Sequence, residues 1–135
     1  MTTDALLRQE GGDHYKGAAI QPVEFWQRNR WDGCACSSLK YLARYKLKNG
    51  LEDLRKAKHF IELRQRFERH LNGRMPPPEI PMVQFLDANG IKDPLERETL
   101  MALEAYVYSS PIFRDAQAEL VIEGIDLLIG RYLTS

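Results

Sequence analysis

The 135-residue sequence has no apolar run of about 18 residues, which argues against a membrane-spanning helix. Its opening stretch, MTTDALLRQEGGDHYKG, lacks the basic-then-apolar layout of a secretory signal. Cysteine is scarce: Cys34 and Cys36 stand one residue apart, too close for an easy disulfide and too few for a zinc site. These absences together predict a reduced, cytoplasmic setting, with the cysteines as small semi-buried residues. The chain also lacks a G-x-x-x-x-G-K-[ST] phosphate loop, a dinucleotide-binding glycine triplet and an H-E-x-x-H zinc helix. No alternating strand pattern and no internal repeat is visible, so the expected class is all-α.

Net charge is absent as well, with 19 Lys/Arg against 19 Asp/Glu, but the balance hides a division. Residues 1–74 hold 15 basic and 9 acidic side chains, whereas residues 75–135 hold 4 and 10. Such halves either pack against each other or serve different ligands. The change falls at RMPPPEIP, whose prolines favour an extended spacer. The expected organisation is a basic arm and helical hairpin over 1–74, a linker over 75–81 and an acidic helical lobe over 82–135. The acidic lobe argues against nucleic acid as the partner.

Helical punctuation is plentiful. A short helix is expected at 4–9, and another at 22–30, entered at Pro22 with Val23, Trp26 and Gln27 on one face and Phe25 flanking. The next starts at Asp32, or at Ser37 or Ser38, and runs to Lys48 before Asn49-Gly50. A third runs from Leu51 to Leu71, with Leu54, Ala57, Ile61, Arg64 and Glu68 inward, helped by the Lys58 stem, Phe60 and Phe67. Beyond the linker, a short helix closes at Asn89-Gly90, and another has Asp93 as its cap and Pro94 at its first position. The last covers about 111–133, with Phe113, Ala116, Leu120, Leu127, Leu128 and Ile129 available for burial.

Three groups could carry chemistry. Lys40, Arg44 and Lys48 recur every four residues, and Lys56 follows Asp53 on the next helix. Such a stripe either pairs with Glu52 and Asp53 as a solvated face or binds phosphate, Arg44 by its fork and the lysines as point charges. Asp53 would then orient a cation or hold Lys40 or Arg44. On the glycine-flanked arm, Tyr15 could stack on a base while His14 or Lys16 touches phosphate. Finally, Glu119, Glu123 and Asp126 share a helix face. EGID echoes half of the magnesium site of all-α nucleotide pyrophosphohydrolases, without the partner E-E-x-x-E segment.

The segments GGDHYKG, IQPVEFW and LKYLARYKLKNGLEDLRKAKHFIE resemble a small bacteriophage domain family called SaV-like, of largely unknown function. That family includes the P-loop-free deoxynucleoside monophosphate kinase of T-odd coliphages. The likeness covers about residues 11–65, through Gly12–Tyr15, Ile20–Pro22, Leu39, Lys40, Tyr41, Arg44, Tyr45, Lys48, Gly50, Asp53, Leu54, Lys56 and Ala57. It departs at ACSSLKY, where the family usually has a glycine and often an asparagine, although Ser37 keeps a hydrogen-bonding group. The resemblance implies a nucleotide-binding protein transferring phosphoryl from a nucleoside triphosphate to a dNMP. It implies Arg44, Lys40 and His14 as catalytic residues, and Tyr15, Lys16, Ser37, Lys48, Asp53 and Lys56 as nucleotide-binding ones. Asp53 would be the contact for Mg2+. A shallow hairpin site further predicts a homo-oligomer. The rival expectations are a non-enzymatic protein that binds a host factor or sequesters a nucleotide, and a magnesium-dependent nucleotide hydrolase built on Glu119, Glu123 and Asp126.

Overall fold

Proline and aspartate open the helices where their local chemistry demands. The structure, a computed structural model, describes residues 19–68, 71 and 75–134; the expected helix at 4–9 and the Asn72-Gly73 helix end lie outside them. Pro22 begins α1 (Pro22–Asn29), and the Asp32 carboxylate caps α2 (Gly33–Arg44) by accepting from the Ala35 amide. After α3 (Leu51–Phe67) and α4 (Met82–Ala88), Asp93 caps α5 (Pro94–Val107) through the Glu96 amide at 2.9 Å. A 3-10 turn at Pro111–Phe113 leads into α6 (Arg114–Thr134). The described residues contain no strand, so the fold is all-α.

Helix α2 ends four residues before the expected Lys48. The Leu47 amide donates to the Arg44 carbonyl and the Gly50 amide to that of Tyr45, closing a tight turn. Gly50 then enters α3 at φ 53°, ψ −118°, a conformation that side-chain-bearing residues avoid. A Cβ there would also lie 2.7 Å from Cζ of Tyr132 on α6. Gly50→Ala is expected to lower unfolding free energy by about 2 kcal/mol in urea titration. Adding Tyr132→Ala should restore less than half, because the ring is 46% exposed and can yield, whereas the backbone angle cannot. Complete rescue would assign the cost to the ring.

The two lobes share one core. Helix α3 buries Leu54, Ala57 and Ile61, and α6 buries Ala118, Val121, Ile125 and Leu128 in the same cluster as Leu100 and Leu103 of α5. Complete burial of a leucine or isoleucine contributes about 1.5–3 kcal/mol. Gly124 brings α6 close to α5, since a Cβ there would sit 3.1 Å from that of Thr99. Two asparagines tie down the connecting segments. Asn29 both donates to and accepts from the Ile80 backbone at 2.8 Å, and Asn89 does the same with Ile20 at 2.8 and 3.1 Å. The end of the proline-rich segment is therefore bolted to α1 instead of acting as a free spacer.

Several apolar residues stand differently from their helical pattern. In α1 the buried residues are Pro22, Phe25 and Asn29, while Val23 and Gln27 are exposed; Phe25 packs edge-on to Trp31 at 5.0 Å and also touches Phe85. Phe67 is exposed at the end of α3. Phe113 in the 3-10 turn and Ala116, Leu120 and Leu127 on α6 face outward, and of the expected set Leu128 is buried and Ile129 half-buried. The opposite charges of the halves meet as Lys46–Glu96 at 2.6 Å and Lys58–Asp126 at 2.9 Å, and Tyr45 donates to Glu96 at 2.8 Å.

Candidate functional site

Lys40 and Arg44 are one turn apart on α2, and Asp53 and Lys56 lie in the first two turns of α3. The Asn49-Gly50 turn folds these helices together, and Ser38 lets them approach by donating its buried hydroxyl to the Ala57 carbonyl at 3.1 Å. All three cations converge on one ring. Lys40 Nζ is 4.6 Å from the centroid of Tyr41, Arg44 Cζ 4.8 Å and Lys56 Nζ 5.4 Å. Phe60 stacks against the same ring at 6.0 Å and 21°. Each cation–ring contact contributes about 0.5–1 kcal/mol at an exposed site, which offsets part of the mutual repulsion of the charges.

Asp53 governs Arg44. Its side chain is completely buried, one oxygen accepting from Arg44 Nη2 at 3.4 Å, the other from Arg44 Nε and the Asn49 amide at 3.3 Å each. With the Arg44 side chain 12% exposed, its guanidinium is held as a fork with a fixed direction. A carboxylate so enclosed suits the holding of an arginine and does not fit a hydrated magnesium ion. Lys56 pairs with Glu52 at 3.2 Å on the surface, while Lys40 has no carboxylate partner among the described residues.

The other residues singled out in the sequence make no cation–ring contact with Tyr41 or lie outside the described structure. Lys48 is exposed in the turn after α2, and half-buried Ser37 stands one turn before Tyr41. His14, Tyr15 and Lys16 lie outside the described residues. Cys34 and Cys36 sit half-buried in the first turn of α2. Burial and then the Asp32 charge raise both thiols, Cys36 to about 12, so neither is a ready nucleophile. Glu119, Glu123 and Asp126 are exposed on α6, Asp126 engaged by Lys58, and no group of three or more His, Cys, Asp or Glu among the described residues is placed to hold a metal ion. No described helix is long and apolar enough to cross a membrane.

The residue that sequence reasoning passed over as a site is Tyr41. The signal was present in KYLAR, where Arg44 follows the aromatic by three residues on the same helix face. Phe60 could not be assigned to that ring without the pairing of α2 with α3. Farther along α3, a cleft of about 480 Å³ is lined by Gln65, Arg66, Glu68, Pro111, Arg114 and Asp115. Its two arginines are balanced by two carboxylates, and none of the Tyr41 cluster lines it. Converging positive charge makes the Tyr41 cluster the better candidate for an anion.

Residues 10–62 match a family described as a protein of unknown function (DUF3310). That span contains Lys40, Tyr41, Arg44, Asp53 and Lys56, and the description attaches no activity to them. No curated protein and no solved structure matches the chain.

Proposed function

We propose that the protein binds nucleotide phosphate at Lys40, Arg44 and Lys56 and phosphorylates a deoxynucleoside monophosphate from a nucleoside triphosphate. The observation that carries this reading is the convergence of three cations on Tyr41, with Arg44 aimed by buried Asp53. The resemblance to the phage family supplies the nucleotide and the reaction. The chemistry suits such a site. A phosphomonoester has its second pKa near about 6, so at neutral pH the accepting oxygen is already an anion and needs no base. That oxygen forms the new bond to the γ-phosphorus as the bond to the β–γ bridging oxygen breaks, leaving a deoxynucleoside diphosphate and a nucleoside diphosphate. The protein's task is to align two repelling polyanions and neutralise charge, which a fixed arginine fork and two lysines can do.

Each dNMP is titrated calorimetrically against wild type, Lys40→Gln, Lys56→Gln and Arg44→Ala, then incubated with ATP and magnesium to resolve products. Each lysine substitution should weaken dNMP binding about tenfold and Arg44→Ala about a hundredfold, as expected for loss of charge-assisted contacts. The lysine variants leave the Asp53 pair intact, so their loss cannot be ascribed to unfolding. Undiminished binding in all three variants sinks the site. Tight binding without any dNDP retains the site and removes phosphoryl transfer, leaving sequestration.

A further inference from the structure

The outer face of α6 is apolar where a helix covering a core normally turns polar side chains to water. Ala116, Leu120 and Leu127 recur on α6 at intervals of four and seven residues, forming one stripe, and Phe113 of the preceding 3-10 turn stands at its start. All are exposed, Phe113 by 62%, Leu120 by 50% and Leu127 by 61%, with Ile112 at 83% beside them. The helix meets its own core through Ala118, Val121, Ile125 and Leu128, so the stripe is surplus to folding. An aligned set of large exposed apolar side chains of this kind marks an interaction site.

Charge beside the stripe identifies the occupant. Asp115, Glu119 and Glu123 are exposed along it, and none forms an ion pair among the described residues. Asp126, also exposed, is held by Lys58 at 2.9 Å. A second copy laid antiparallel on the same face would bring Leu120 to Leu120 and press two acidic rims together, a like-charge arrangement that is penalised. A lysine- or arginine-bordered helix instead turns this rim into complementary pairs. On α6 the stripe from Ala116 to Leu127 extends about 16 Å at the helical rise of 1.5 Å per residue, enough to engage three turns of a partner.

From this geometry we infer that α6 docks an amphipathic helix of another protein, whose apolar stripe is bordered by basic residues. The stripe governs residence and the acidic rim governs approach and choice of partner. This interaction does not depend on the nucleotide reading and uses none of its residues.

The probe is a fluorescein-labelled peptide of about 15 residues, with leucines at helical spacing and lysines elsewhere. A scrambled peptide of the same composition and a leucine–glutamate peptide with the same spacing serve as comparisons in anisotropy titrations. The patterned leucine–lysine peptide should bind at least about tenfold more tightly than either comparison. Leu120→Ser and Leu127→Ser should each weaken it about tenfold. Glu119→Lys combined with Glu123→Lys should weaken it and flatten its salt dependence, whereas Met101→Ser on exposed α5 surface should not. Equal binding of the scrambled peptide, or indifference to both leucine substitutions, overturns the inference. So does a concentration-dependent dimer in sedimentation that Leu120→Ser dissolves, since the face would then belong to a second copy. The leucines are exposed, so unchanged melting of the serine variants separates lost docking from lost folding.

Discussion

The Asp53→Ala protein is expected to unfold about 3 kcal/mol more easily than wild type and to melt roughly 10 °C lower. Asp53 has no exposure to water, and its carboxylate satisfies two guanidinium donors and the Asn49 amide. Removing it strands a largely buried arginine and an amide at the entrance to α3. Breaking a buried ion pair from one side costs about 3–5 kcal/mol, and the lower end applies because Arg44 is 12% exposed and keeps the Tyr41 ring. Asp53→Asn should cost about half as much, since the amide oxygen still accepts while the charge is gone. Urea titrations of Arg44→Ala, Asp53→Ala and the double variant should show coupling of at least about 1 kcal/mol. Simple additivity would falsify the role given to Asp53 as the residue that positions Arg44.

The second large effect belongs to Arg64, only 4% exposed in the core between α2, α3 and α5. Its Nε donates to Asp32 at 2.9 Å, and its guanidinium lies 4.6 Å from the Tyr106 ring centroid. Burial, and then the hydrogen bond to Glu68, push the Tyr106 phenol upward, so it stays protonated as a donor to Glu68. Arg64 Nη1 is buried with no hydrogen-bond partner among the described residues. Arg64→Ala should cost about 3 kcal/mol, because it leaves a cavity against Tyr106 and removes the pair. Arg64→Met should cost less than about 1 kcal/mol: it refills most of the volume and removes the unsatisfied donor. Asp32 tolerates the exchange, being 25% exposed and still bound to the Ala35 amide at 3.1 Å. If methionine proves as damaging as alanine in the same denaturant titration, the ion pair and not packing dominates at this position.

Both effects arise where a charged side chain lies inside the fold, and only one was legible beforehand. The spacing of Lys40, Arg44, Asp53 and Lys56 placed all four near one turn, because helix periodicity and a two-helix hairpin are short-range properties. Arg64 was assigned inward on α3, but its partners, Asp32 and Tyr106, are separated from it by 32 and 42 positions and have no local signature. The asparagine clamps on Ile80 and Ile20 are hidden for the same reason, since an asparagine near a helix end reads as a cap or a turn.

Capping and turn residues by themselves determined where several helices begin or end: Pro22, Asp32, Asn89-Gly90 and Asp93-Pro94 act within three or four residues of themselves, and the lack of an alternating strand pattern pointed to the all-α class. Composition likewise determined that a neutral chain divides into a basic and an acidic half. Periodicity also marked the inward face of α3 at Leu54, Ala57, Ile61 and Arg64, all of them buried, whereas tertiary structure alone decided which side of α6 faces inward. Helix α6 carries Val121, Ile125 and Leu128 on one side and Ala116, Leu120 and Leu127 on another, so periodicity offers two apolar stripes and cannot rank them. Packing against α3 and α5 ranks them, because Gly124 permits close approach on one side only. Local hydrogen bonds close the α2–α3 turn early, and the packing of α2 on α3 gathers three cations around Tyr41, converting a basic stripe into a cluster with a definite centre.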